Sequence, residues 1–122
     1  MIFNICEKTN ISMSPLQFFK CLSDDTRLKS LLLIEKLEEA CVCDLIAALE
    51  LEQPKVSRHL AELRKCNIVH DQRRGKWVYY RLHSELPTWA KGVLTETAKS
   101  NESYFSVALA KLKASKQSLS CC

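Results

Sequence analysis

Apolar positions recur at helical spacing along most of the chain and give way once to strand-like runs. Ser14-Pro15-Leu16-Gln17 opens the first helix: Ser14 can cap, Pro15 suits the first helical position, and Gln17 sits where a capping box wants it. Leu16, Phe18, Phe19 and Leu22 supply its apolar contacts. Ser23-Asp24-Asp25 breaks that helix and caps a second, Thr26 to about Leu37. A shorter third helix begins near Val42–Asp44 and carries Leu45, Ile46, Ala48 and Leu49. Pro54 then marks the first turn of a fourth helix that runs to about Lys65. At about 100° per residue, Val56, Leu60 and Leu63 share one face of it, and Arg58, Glu62 and Lys65 the opposite face.

The period then changes. Ile68-Val69-His70 and Trp77-Val78-Tyr79-Tyr80-Arg81-Leu82 are β-branched and aromatic runs, with Arg73-Arg74-Gly75-Lys76 between them as a turn. Beyond Ser84 the helical period returns, with Leu86, Trp89, Val93 and Leu94, then Phe105, Leu109 and Leu112 over about Glu102–Ala114. The expected organisation is an N-terminal arm (1–13), one domain (14–114) and an unpatterned tail (115–122). Two short helices about three residues apart, followed by a basic hairpin, describe a mainly α fold with a β-hairpin: a winged helix-turn-helix.

Composition narrows this reading. With 122 residues the chain suits one domain, and with 2 Gly and 3 Pro it lacks the turns of a β-rich fold. No apolar run reaches the roughly 18 residues that span a bilayer, and the first twelve residues lack the basic start and apolar stretch of a signal peptide. The expected compartment is the cytoplasm, with no membrane partner. There the seven cysteines read as buried thiols, metal ligands or redox sensors rather than a disulfide framework.

The overall charge of +4 hides an uneven distribution. Residues 1–52 hold 5 Lys/Arg against 9 Asp/Glu, net −4, whereas residues 53–82 hold 8 against 2, net +6. That excess is the footprint of a polyanion-binding surface. In a helix-turn-helix the second helix enters the major groove by its N-terminal residues, here Gln53, Lys55, Ser57 and Arg58. Gln suits adenine edges and Arg guanine edges, while Ser and Lys can meet phosphates or bases. His59 flanks the apolar stripe and can equally pack or touch DNA. Arg73, Arg74 and Lys76 at the hairpin tip would lie along the backbone or in the minor groove. The expected partner is double-stranded DNA. No phosphate-cradling Gly loop, Cys-x-x-Cys or Ser/His/Asp grouping supports an enzyme.

Four stretches occur in order: Leu22-Ser23-Asp24-Asp25-Thr26-Arg27-Leu28, Cys41-Val42-Cys43-Asp44-Leu45, Gln53-Pro54-Lys55-Val56-Ser57-Arg58-His59-Leu60, and Arg74-Gly75-Lys76-Trp77-Val78-Tyr79-Tyr80-Arg81-Leu82. Over about residues 14–112 they closely resemble the ArsR/SmtB family, and within it the arsenical-responsive repressors. The resemblance implies a homodimer paired through its first and C-terminal helices, controlling a metalloid-resistance operon. It also implies that Cys41 and Cys43 form the inducer site for As(III) or Sb(III), thiolates being soft ligands suited to thiophilic ions. The family often places a third cysteine three residues after the second, where this chain has Ile46; Cys6 is then the expected third ligand, from the same or the partner subunit. Cadmium, lead or thiol oxidation are the alternative signals on the same fold. Cys21 and Cys66 read as packed thiols, and Cys121 and Cys122 as accessory donors. The family's zinc site on the C-terminal helix needs His, and residues 84–122 contain none.

Residues two apart on a regular helix point about 200° from each other. Cys41 and Cys43 can therefore share an ion only if the helix start is distorted or held non-helical.

Overall fold

Ser14 does cap the first helix. In the computed structural model, which describes residues 13–118, its Oγ accepts the Gln17 N–H at 3.3 Å, and α1 (Pro15–Leu22) follows. Asp24 caps α2 (Asp25–Leu37) in the same way, accepting the Arg27 N–H at 3.0 Å. Leu31, Leu32, Leu33 and Ile34 are all fully buried. Four consecutive buried positions go all the way round a helix, so α2 is the central one, packed by α1, α4, α5 and α6 as these are introduced below.

Glu38 ends α2 in the left-handed region at φ 74°. The chain then forms β1 (Ala40–Cys41), a two-residue strand that helical and alternating patterns do not announce. α3 (Val42–Leu49) and α4 (Gln53–Lys65) follow, joined by a three-residue turn. Asn67, at φ 61°, closes α4: its N–H bonds the Arg64 carbonyl and the Ile68 N–H bonds that of Leu63.

β2 (Val69–Arg74) and β3 (Trp77–Leu82) form the hairpin. Arg73 and Arg74, expected in the turn, belong to β2, and the turn is Gly75-Lys76 alone. Gly75 takes φ 65° and Lys76 does not share the positive φ, the form in which a two-residue hairpin loop needs glycine first. The sheet order is β1-β3-β2, antiparallel throughout, with Cys41 opposite Tyr79 and Ala40 opposite Tyr80.

α5 (Thr88–Ser100) and α6 (Glu102–Ser118) complete the fold. α6 bends at the buried Phe105, whose φ of −129° is not helical. It continues to Ser118, past the Ala114 at which the apolar spacing ran out. Its start is tied to α2 by Tyr104, whose hydroxyl donates to Asp25 at 2.5 Å. Burial and that carboxylate push the Tyr104 hydroxyl up to about 12. Farther along, α6 lies on α3, where Lys111 pairs with Glu50 at 2.7 Å and Ser115 donates to Asp44 at 3.4 Å.

Candidate nucleic-acid interface and thiol site

The apolar stripe of α4 is buried as its spacing predicts: Val56, Leu60 and Leu63 are each 0% exposed. That seats the helix and turns Gln53, Lys55 and Arg58 outward, with Ser57 half-buried beside them. Glu52 supplies no side-chain cap, so the opening turn of α4 presents backbone N–H groups without a capping side chain. Among the described residues, Lys55, Arg58 and Arg73 form no ion pair, and Lys76 rests over the Trp77 ring at 5.3 Å. These cations are available to a polyanion.

Two of the expected contact residues have partners within the protein. His59 turns inward: its Nδ1 lies 3.1 Å from Arg27 Nη1 and its Nε2 3.7 Å from Asp24 Oδ2, with only 12% of the side chain exposed. Burial pushes the imidazole down against the pull of Asp24, and Arg27, Arg58 and Lys55 depress it further. A neutral ring accepting from Arg27 at Nδ1 keeps its proton on Nε2, facing Asp24. Burial would raise the Asp24 carboxyl, but the Arg27 N–H and the neighbouring His59 and Arg27 outweigh it and hold it low. His59 thus ties the recognition helix to the start of α2.

Arg74 is the second. It makes a two-pronged contact with Glu39, Nη2 at 2.7 Å and Nη1 at 3.0 Å, and lies 4.4 Å over the Tyr79 ring. Its charge is matched within the protein, and it braces the wing against the segment joining α2 to β1. Arg64 of α4 likewise reaches the wing by pairing with Asp71 at 3.1 Å. Glu39 lies 35 residues from Arg74, a pairing that periodicity does not reveal.

Cys41 and Cys43 straddle the junction of β1 and α3. Cys41 is extended (φ −91°, ψ 165°), caps α3 and is 1% exposed. Its N–H donates to the buried Asp44 carboxylate at 3.3 Å. Cys43 lies in the first turn of α3, half-buried, and is the free thiol among the described residues. Burial, with the Asp44 carboxylate beside it, pushes the Cys43 thiol up, so it is protonated at neutral pH. The chain is extended at Cys41, so the two cysteines do not share a regular helical turn. Cys6, Cys121 and Cys122 lie outside the described residues. Among the described residues no three His, Cys, Asp or Glu side chains cluster as a metal site.

A short helix, a three-residue turn, a recognition helix and a charged wing make a winged helix-turn-helix. The family described as "Bacterial regulatory protein, arsR family" matches residues 24–71. The chain is 51% identical over 94 residues to the arsenic resistance transcriptional regulator ArsR1 of Pseudomonas putida KT2440, covering 77% of this chain and 73% of that one. The chain belongs to the arsR family. It is also 51% identical over 82 residues to the arsenical resistance operon repressor of Escherichia coli K12, covering 67% of this chain and 70% of that one. Among solved structures, reduced HlyU from Vibrio cholerae N16961 superposes with a TM-score of 0.64 at 28% identity, over 70% of this chain and 86% of that one. As an arsR-family protein it is a transcriptional regulator with a DNA-binding fold, not an enzyme.

Proposed function

We propose that this protein is an arsenical-responsive repressor: a homodimer that holds operator DNA through α4 and the wing, and releases it when As(III) or Sb(III) binds Cys41 and Cys43. The observation that carries the reading is the position of the two cysteines. They sit at the start of α3, the helix packed directly against α4, and Cys41 is paired in the sheet with Tyr79 of the wing.

The reading surface is Gln53, Lys55, Ser57 and Arg58 with the wing cations Arg73 and Lys76. A dimer doubles this basic surface and sets two recognition helices on successive major grooves of an imperfect palindrome. The exposed Leu16, Phe19 and Trp89 support pairing through α1 and α5, for Phe19 and Trp89 lie 6.3 Å apart over the buried Phe18 as one aromatic patch. Among the described residues no helix is long and apolar enough to cross a membrane, and the site of action is the cytoplasm, where operator DNA is.

Release follows from burial. Cys41 is 1% exposed and its N–H is held by Asp44, so an ion from solvent reaches its sulfur only when the junction opens. Joint ligation therefore shifts the β1–α3 junction. The shift reaches α4 through α3 and reaches the wing through the Cys41–Tyr79 pairing, whose Tyr79 ring carries the Arg74–Glu39 contact. The inducer binds the displaced arrangement better, and operator affinity falls by that difference. A trivalent arsenic centre takes three sulfurs, and Cys6 is the proposed third. Arsenous acid supplies its own hydroxides: three thiols and As(OH)3 give the trithiolate and three waters.

Operator binding by the full chain with and without arsenite tests the reading. Wild type loses operator affinity on arsenite, Cys43→Ser binds operator and ignores arsenite, and Cys6→Ser responds weakly. Unchanged affinity of the wild type in arsenite would refute the function, and a normal response from Cys6→Ser would remove Cys6 from the site.

A further inference from the structure

A second pair of cysteines lies apart from Cys41 and Cys43. Cys21, near the end of α1, and Cys66, which caps the C-terminal end of α4, are 45 residues apart in sequence. Yet they face each other with their sulfurs in contact and their Cα atoms 7.4 Å apart. The sequence alone reads both as packed thiols, and Cys21 is indeed 9% exposed. Cys66 is half-buried and opens on a cleft of about 440 Å³ lined by Gln17, Lys20, Arg27 and Glu62. The Gln17 side-chain amide donates to Cys66 Sγ at 3.7 Å. Two cations line the same cleft, a setting in which thiols react with oxidants.

We propose that Cys21 and Cys66 are a reversible thiol–disulfide pair that adds a redox input to operator binding, separate from the metalloid site. The co-reactant is a hydroperoxide. The Cys66 sulfur attacks the peroxide, the O–O bond breaks, and hydrogen peroxide leaves as one water while Cys66 becomes a sulfenic acid. Cys21 then attacks that sulfur, its proton leaves with the hydroxyl as a second water, and the S–S bond forms. In sum, two thiols are oxidised and one peroxide is reduced.

The position of the bond gives it a consequence. α1 carries the exposed patch of Leu16 and Phe19, and α4 carries the reading residues, so the disulfide joins the pairing helix to the recognition helix. A covalent bond there ties the end of α1 to the end of α4, so the recognition helix is held against the pairing helix when the pair is oxidised and released from it when the pair is reduced.

The test treats the reduced full chain with hydrogen peroxide, maps cross-linked peptides by mass spectrometry and measures operator affinity before and after. The expected result is a peptide pair containing Cys21 and Cys66, lighter by two hydrogens. Operator affinity drops about 5-fold or more and returns with dithiothreitol. Cys66→Ser and, independently, Cys21→Ser bind operator normally when reduced, lose the peroxide effect and still release operator in arsenite. Absence of the cross-linked peptide would overturn the pair. So would its formation without a change in operator affinity, or a peroxide effect that survives in both variants.

Discussion

Two helix starts in this protein, eight residues of helix and one turn apart, are built in opposite ways. α4 opens into solvent: Gln53, Pro54 and Lys55 are exposed, and Glu52 offers no side-chain cap. α3 opens into the core: Cys41 is 1% exposed, Asp44 is 2% exposed, and the Asp44 carboxylate accepts the Cys41 N–H. The first can meet a ligand as it stands, whereas the second cannot be engaged at both sulfurs without moving. A rigid exposed surface suits recognition of a regular duplex. A buried junction whose ligation requires displacement suits a switch, since the ligand then favours one of two arrangements. The division of labour follows from burial.

The difference is sharpened most strongly by protons. The Cys43 thiol is protonated at neutral pH because burial, aided by Asp44, pushes it up. Cadmium must expel that proton, so its affinity rises with pH by about tenfold per unit for each thiol proton released. Arsenous acid removes the same protons as water, so arsenite affinity stays nearly flat between about pH 6 and pH 8. Competition titrations at the two ends of that range read both slopes, and parallel slopes would contradict thiol ligation at this junction. Asp44→Ala comes next in size. It strands the buried Cys41 N–H and lowers stability by about 1–3 kcal/mol in denaturant titrations. At the other helix start, Lys55→Ala stays within about 0.5 kcal/mol while weakening operator binding. The smallest effect separates two adjacent arginines. Arg73→Ala reduces the salt dependence of operator binding by about one phosphate contact. Arg74→Ala leaves that slope unchanged, because its guanidinium is already on Glu39.

Periodicity made the helices and hairpin legible, because each element buries one stripe and the burial matches: Val56, Leu60 and Leu63 fall on the face the spacing assigns. β1 was not legible, for two residues between a left-handed Glu38 and a helix start carry no period. The last helix outran its apolar stripe, since its continuation to Ser118 includes the polar Lys113, Ser115, Lys116 and Gln117. Side-chain roles were legible where composition decides them and hidden where a distant partner does. Charge placed Lys55, Arg58 and Arg73 on the surface. His59 turned inward because Asp24 and Arg27 wait there, Arg74 folded back onto Glu39, and Cys21 met Cys66 across 45 residues. The Cys-x-Cys motif was plain in the sequence, but its extended first residue became visible only with the strand.

The central claim is that reading and sensing reside on different helix starts, and one double-mutant cycle tests it directly. Operator affinity is measured with and without arsenite for wild type, Arg58→Ala, Cys43→Ser and the double variant. The account predicts that Arg58→Ala weakens operator binding by about 1–3 kcal/mol while keeping the wild-type ratio of affinities with and without arsenite. Cys43→Ser keeps wild-type affinity and brings that ratio to one, and the double variant shows both losses independently. If Arg58→Ala also abolished the arsenite ratio, or Cys43→Ser weakened operator binding as much as Arg58→Ala, the two starts would not be separate devices.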